Sequence, residues 1–287
     1  MAEEAGRTRF HYGFYSAMKV EYDLRNAQVT YEQEKQLGED PVRLDFLIIK
    51  KDVTVSLDDP IGQFFRIVNL FEYKSPEDGM SVDDFYKAQG YGLIYKGFDR
   101  KVNELPIEDM TLTLVRHSYP RDMIKALTLS GFIITEPHKG IFRFEGKICI
   151  PVQLVVSSRL SDGEYEGLKL LAAGCTKEAV LHYAEKAVAS GDENIKSNAG
   201  TVISICLDIN KNLGTELKEA GLMNEVIRDI FKKDFEIARQ DGINEEKERV
   251  ATDMLRDGEP LEKIAKYSRL AEDTIRNLAK TLGVAVI

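Results

Sequence analysis

Two stretches limit the folds open to this chain more than anything else in it: VRLDFLII at 42–49 and FFRIVNLFEYK at 64–74. Each is a near-continuous run of β-branched, aliphatic and aromatic residues, and each follows a turn, Gly38-Glu39-Asp40-Pro41 before the first and Asp58-Asp59-Pro60 before the second. A strand with one face in water alternates apolar and polar side chains, so a run without that alternation belongs to a strand covered on both faces. The first 120 residues supply the cover. Phe14, Ala17, Met18 and Glu21 recur at helical spacing within 13–26, and 29–37 is strand-like. Ser75-Pro76 ends the second run. Ser81 and Asp84 then mark a helix start that Phe85, Ala88, Gly92 and Tyr95 continue to 97, and TLTLVR at 111–116 is a further strand. The order α-β-β-β-α-β is that of an α/β core.

Downstream the texture changes. Residues 119–160 read as a short helix and then a β-meander, IIT, IFRFEG and ICIPVQLVV, turning at His138-Lys139-Gly140. Beyond 164 the pattern is almost wholly helical, with breaks at 190–200, Gly214, Gly242 and Gly258. The segment 216–256 has apolar positions from Leu217 through Leu222, Phe235 and Ile237 to Leu255 amid dense mixed charge, which predicts one long solvated helix with a buried stripe. The expected division is 1–160, the α/β core with its meander, and 161–287, a helical region. At 257–283 the chain reads helix, short turn, helix, with Ile264, Ala265, Leu270, Ile275 and Leu278 packing inside and Lys263, Lys266, Arg269, Arg276 and Lys280 as a basic face. A helical hairpin that only packs on the body or on a second subunit is the alternative.

Composition removes several classes. The chain has 287 residues, 43% of them apolar, and no run approaches the ~18–20 apolar residues of a membrane span. The start MAEEAGRTRF lacks a secretory signal, and Cys149, Cys175 and Cys206 show no CxxC spacing, so a reducing, cytoplasmic setting without a disulfide framework or zinc site is expected. A net charge of −9 argues against a protein held on nucleic acid by bulk charge alone. The charge is uneven, however: residues 111–160 carry seven Lys and Arg against three Asp and Glu. Arg116, Arg121, Lys125 and Arg143 in that stretch are the expected contacts to any nucleic-acid backbone.

Four ionisable residues stand on otherwise apolar faces. Alternation places Asp45 with Arg43, Leu47 and Ile49 on the first strand, and Glu72 and Lys74 with Val68 and Leu70 on the second; Glu21 falls within the apolar stripe of the first helix. Buried charges cost several kcal/mol unless paired or metal-bound. Two carboxylates from adjacent strands can hold Mg2+ with several of its waters retained, and a nearby ammonium can orient an attacking water. The plainer readings are a strand-end ion pair for Glu72 and Lys74, a bridge from Asp45 to Arg43 or Arg66, and a solvent-facing Glu21. His117, at the end of TLTLVR, is more often structural than phosphate-binding when it stands alone. The other histidines share no spacing, no cysteine has a context that suggests activation, and Gly90-Tyr91-Gly92 lies inside a helix pattern rather than in a phosphate loop.

Helix-Glu, strand-Asp, strand-Glu-x-Lys, helix, strand, here Glu21, Asp45 and Glu72-Tyr73-Lys74, resembles the PD-(D/E)XK restriction-endonuclease-like core over residues 10–118. The text around it, FHYGFYSAMKVEYDL, DPVRLDFLIIKK and NLFEYKSPEDGMSVDDFYKAQGY, is similar to the Rpn family of recombination-promoting, transposase-like nucleases. The resemblance implies a Mg2+- or Mn2+-dependent DNA endonuclease of recombination or mobile-element biology. Asp45 and Glu72 are then metal ligands together with the backbone carbonyl of Tyr73. Lys74 positions the water, Glu21 holds a second metal or its waters, and Gln89 is an accessory polar residue facing the site. A helix-turn-helix ending and a homodimer through the C-terminal helices go with the same expectation. The alternative is a catalytically inactive nuclease fold acting as a DNA-binding or protein-interaction module.

Overall fold

The computed structural model describes residues 2–37, 42–98, 101–219 and 226–284, apart from the side chains of 2–8, 34–37, 42–46, 218–219 and 233–241. It has two compact units, Met1–Ile230 and Phe231–Ile287. The first is α/β, built on a seven-stranded mixed sheet of order β1-β2-β3-β4-β7-β6-β5. Strands β1 (Val29–Leu37), β2 (Val42–Lys51) and β3 (Val68–Lys74) are antiparallel neighbours, whereas β4 (Met110–Arg116) runs parallel to β3 and β7 (Val152–Val156) parallel to β4. The meander strands β5 (Ile133–His138) and β6 (Ile141–Glu145) join through β7 and extend the same sheet.

Both faces of the central strands are covered, as their unbroken apolar character requires. Helices α2 (Val82–Gly97) and α3 (Arg121–Leu129) cover one face, where Phe85, Met123 and Leu127 join Ile48, Leu70, Leu112, Leu114 and Leu154 in one core. Helix α1 (Ala2–Leu24) covers the other: the Phe14 ring stacks on Tyr73 at 4.7 Å, and the Tyr22 ring lies 5.7 Å from Phe65. The helix begins well before the expected Gly13 and ends where Asn26 adopts a left-handed φ of 51° and Ala27 N bonds Tyr22 O at 2.9 Å. The second apolar run becomes strand only at Val68, because Asn69 closes the preceding turn: its Oδ1 accepts from Arg66 N at 2.7 Å and its Nδ2 donates to Arg66 O at 2.8 Å.

The tight β5–β6 turn depends on Gly140. It has φ +79°, and a Cβ there would stand 2.9 Å from the backbone of Arg159 and Leu160. Gly140→Ala is therefore expected to cost about 2–3 kcal/mol, read as a lowered thermal midpoint with an unchanged circular-dichroism spectrum.

Helices α4 (Glu166–Leu170), α5 (Lys177–Ala189), α6 (Glu193–Ile209), α7 (Leu213–Glu219) and α8 (Val226–Ile230) belong to the first unit. The compact boundary thus falls at 230/231, where the sequence reading divides the chain at 160/161. The reason is packing: α6 lies along α1, and Ile205 Cδ1 occupies the space that a side chain at Gly13 would fill, 2.5 Å from a Cβ built there.

The single helix expected over 216–256 is a correction. The chain instead forms α7, α8 and α9 (Lys232–Arg256), and the apolar stripe is divided between the cores of the two units. Leu217, Ile227 and Ile230 are buried in the first unit, whereas Ala251 and Leu255 are buried in the second with Leu261, Ile264, Ile275 and Ala279. Leu222 and the side chains of Phe235 and Ile237 lie outside the described residues. The second unit forms the expected helix pair, α10 (Leu261–Ser268) and α11 (Glu272–Leu282), joined through Arg269 at φ 59°. Its basic face is partly neutralised locally: Lys263 pairs with Glu259 at 2.7 Å and Arg276 with Glu272 at 3.8 Å. Among the described residues no helix is long and apolar enough to cross a membrane.

Candidate functional site at the strand ends

Parallel strands β3, β4 and β7 end together, and in open α/β sheets the edge beyond the carboxyl ends of such strands is where ligands bind. Glu72 and Lys74 share one face of β3, the face covered by α2, and both are partly exposed there. Lys74 Nζ lies 3.5 Å from Glu72 Oε1 and 3.1 Å from Asp84 Oδ1. Asp84 is the third residue of α2, and its Oδ2 accepts from the backbone N and the Oγ of Ser81, each at 2.8 Å, while its own N bonds Ser81 Oγ at 3.2 Å. The sequence marks Ser81 and Asp84 only as a helix start; that the cap also anchors Lys74 is visible only once β3 and α2 are packed together.

The electrostatics follow from this geometry. Burial opposes the charge on Lys74, but the two carboxylates outweigh it and hold its pKa above the ordinary lysine value. Burial likewise opposes charge on Asp84, and the Ser81 and Lys74 bonds more than compensate, so its pKa is held below the ordinary aspartate value. Arg116 pairs in register with Lys74 across β3 and β4, and its Nε donates to Asp78 O at 3.2 Å. Ser75 Oγ donates to Asp78 Oδ2 at 2.9 Å. His117 Nδ1 is 3.2 Å from Ser157 Oγ, and burial, helped by the Arg116 charge, keeps its pKa below the usual imidazole range.

The side chain of Asp45 lies outside the described residues, but its backbone position is informative. On β1, Gln33 and Lys35 are two residues apart, whereas their partners on β2, Leu47 and Leu44, are three apart. An extra residue therefore sits in β2 at Asp45-Phe46. Such a bulge interrupts the pleat, so the strict alternation expected from Arg43 through Ile49 does not run through this strand. Among the described residues no group of three or more His, Cys, Asp or Glu is arranged to hold a metal ion.

Several expected residues lie elsewhere. Glu21 is in a separate cluster: it pairs with Arg25 at 2.5 Å, and Asp59 and Lys186 are its other charged neighbours. Burial outweighs Arg25 and raises its pKa above the usual carboxylate value. Helix α1 meets Tyr73, beside Lys74, through His11 and Phe14, but reaches Phe65 through Tyr22, which sets Glu21 toward the opposite end of β3. Gln89 is also a correction. Its Oε1 accepts from Ile150 N at 3.0 Å and from Cys149 N at 3.3 Å, and its Nε2 donates to Ile150 O at 2.8 Å. It clips the segment before β7 to α2, which occupies its oxygen and one of its two amide N–H groups. Gln89→Leu is expected to leave the Ile150 peptide groups unsatisfied and cost about 2–3 kcal/mol in denaturant unfolding.

The four expected DNA contacts do not form one patch. Arg121 and Lys125 are exposed one turn apart on α3. Arg143 projects from the other sheet face, in register with Gln153, with its guanidinium 5.3 Å from the Phe64 ring and a buried Nε. It is a partly buried cation on an aromatic face and not a surface ligand.

The sequence reading missed the polar cluster around Asp59. This carboxylate is 4% exposed and accepts from Gly62 N at 2.8 Å, from Tyr22 Oη at 3.4 Å and from Tyr165 Oη in a short bond. Tyr165 Oη also accepts from Ile61 N at 3.0 Å, and Tyr165 itself is the left-handed residue, φ 46°, that starts α4. Asp59-Pro60 reads as turn chemistry in sequence, and nothing local signals partners more than a hundred residues away. No protein-family model, no curated protein and no solved structure matches this chain, so the functional reading rests on its own residues and their arrangement.

Proposed function

We propose that the chain is a metal-dependent DNA endonuclease of PD-(D/E)XK type, acting at the carboxyl edge of β3 and β4. The observation that carries the reading is Lys74, an ammonium fixed between Glu72 and Asp84 at the end of a core strand whose neighbour carries Asp45 at a bulge. Bulges beside a site re-aim side chains, which is what an acidic ligand inside an apolar strand needs.

The donors suit a hard divalent cation, since carboxylate oxygens at a partly exposed edge are the ligands Mg2+ and Mn2+ prefer. Asp45, Glu72 and the Tyr73 carbonyl are the residues that would hold it, and the cation supplies an acidified water together with neutralisation of phosphate charge. Lys74, kept protonated by its two carboxylates, donates to the attacking water and offsets negative charge at the scissile phosphate. Arg116, beside it on β4, presents a second positive charge to the same phosphate. Arg121 and Lys125 contact the DNA backbone further along, and binding is weak, salt-sensitive and dependent on divalent cation.

One observation favours a second reading. Lys74 is closer to Asp84 than to Glu72, as expected if it merely anchors the start of α2 to β3 in an inactive fold. Incubation of the purified protein with supercoiled plasmid and Mg2+ or Mn2+ separates the two. Nicked and linear products that disappear in Asp45→Ala and in Lys74→Ala support the nuclease. Products unchanged in both variants, or none from the wild type, overturn it.

A further inference from the structure

At the far end of α6 two thiols flank the same hydrogen-bonded junction. Cys206 is fully buried in the last turns of the helix and Cys175 is half-buried in the loop between α4 and α5; Cys175 Sγ lies 3.2 Å from Ala172 O and Cys206 Sγ 3.7 Å from the Asn210 Nδ2 that bonds Ala172 O. Asn210, which caps α6, holds them in place. Its Nδ2 donates to Ala172 O at 3.0 Å and to Cys206 O at 2.9 Å and lies 3.7 Å from Cys206 Sγ, while its Oδ1 accepts from Gly174 N at 2.8 Å. The loop 172–175 is thus clamped against the helix end, and as a thiol Cys175 also donates to Ala172 O at 3.2 Å.

Cys175 opens onto a pocket of about 360 Å³ whose walls include Asn210, Lys211, Asn212 and Glu216. The two thiols are not equivalent. The neighbouring Cys206 thiol holds the Cys175 pKa below the ordinary thiol value, whereas Cys175 and burial push the Cys206 pKa up. The thiolate is the nucleophile in exchange chemistry, and the exposed member of a pair is the one that meets an oxidant. Cys149 is exposed, but its strand-edge segment places it in no comparable pair among the described residues.

We propose that Cys175 and Cys206 form a redox-active dithiol, which a low-molecular-weight disulfide entering the pocket beside Cys175 converts to an intramolecular disulfide. The Cys175 thiolate attacks one sulfur of the incoming disulfide, forms a mixed disulfide and expels one thiolate. Cys206 then gives up its proton and attacks the Cys175 sulfur, expelling the second thiolate. The protein pair is oxidised, the small disulfide is reduced to two thiols, and these take up the two protons that the cysteines lose. The crosslink bears on α1, because Ile205, next to Cys206, fills the notch at Gly13.

The test uses the full chain carrying Cys149→Ser, incubated with glutathione disulfide. Both remaining thiols are expected to be lost with no glutathione retained. Non-reducing tryptic mapping should join peptide 170–177 to peptide 197–211 at a mass about 2 Da below their sum. Adding Cys206→Ala should stop the reaction with glutathione held on Cys175, and adding Cys175→Ser should slow modification of the buried Cys206 at least ~100-fold. Glutathione that stays on Cys175 while Cys206 is intact, or a Cys175 no more reactive than Cys206, overturns the proposal. Mapping of the protein with both thiols intact decides the question even if a core variant fails to fold.

Discussion

Lys74→Ala is expected to lower divalent-metal-dependent plasmid cutting at least ~100-fold, the usual scale for losing a group that acts on the reacting atoms. The protein should remain folded, because Lys74 is partly exposed and its removal leaves two carboxylates that water can reach. Lys74→Arg keeps the charge but replaces a compact ammonium with a planar fork, so it should restore only a fraction of the rate. Asp84→Asn keeps Glu72 and tests the anchor: slower cutting at unchanged metal dependence marks Asp84 as a positioning residue. Glu21→Gln should leave cutting unchanged, since Glu21 is paired with Arg25 in the other cluster.

The pH behaviour of the anchor follows from the direction of its two shifts. Asp84, held below 3.8, contributes stability that is present above 3.8 and lost as pH falls through its folded value. Lys74, held above 10.5, contributes stability present below 10.5 and lost as pH rises through its folded value. The pair therefore stays ionised between about pH 5 and pH 9, and a pH-rate profile across that window should report the attacking water and not these residues.

Asp59→Ala should be the most destabilising single change at the buried polar cluster, about 3–5 kcal/mol. It strips the acceptor from Tyr22, Tyr165 and Gly62 N at once, and all of these groups are buried. For a unit of this size the expected fall in thermal midpoint is on the order of 10 °C. Asp59→Asn keeps an acceptor oxygen in place and should cost much less. Because the cluster ties α1 and the loop before β3 to the start of α4, the change should also unprotect the Ile61 and Gly62 amides in hydrogen exchange and open the helices after 160 to protease. A loss below about 1 kcal/mol, with those amides still protected, would show that Tyr165 finds its support elsewhere.

Much of this architecture is legible in local pattern, for reasons that individual residues show. The apolar runs at β2 and β3, the Ser81–Asp84 box opening α2 and the left-handed Gly140 are each dictated by neighbours within a few positions. So is the pairing of Glu72 with Lys74, two residues apart on one face of one strand. The helix pair α10–α11 reads out equally well, since its apolar positions repeat at helical spacing and serve a single small core.

What local pattern leaves open concerns partners far apart along the chain. An apolar stripe does not name the core it enters, so 216–256 reads as one helix although its two halves pack in different units. A carboxylate on a helix stripe does not name its counter-charge, so Glu21 reads like a metal ligand until Arg25 and the Asp59 cluster surround it. Polarity on α2 reads as catalytic equipment until Gln89 is seen bonded to the Cys149 and Ile150 peptide groups. The approach of the Cys175 loop to the Cys206 end of α6 has no sequence spacing at all, because the cap residue Asn210 creates it. Sequence by itself marks most of the segments that become helix or strand and the apolar face each presents, since those are short-range matters of sterics and solvation. Tertiary structure alone decides which charges meet, because the Coulomb and hydrogen-bond terms that select a buried partner act through space at a few ångströms, whatever the separation along the chain.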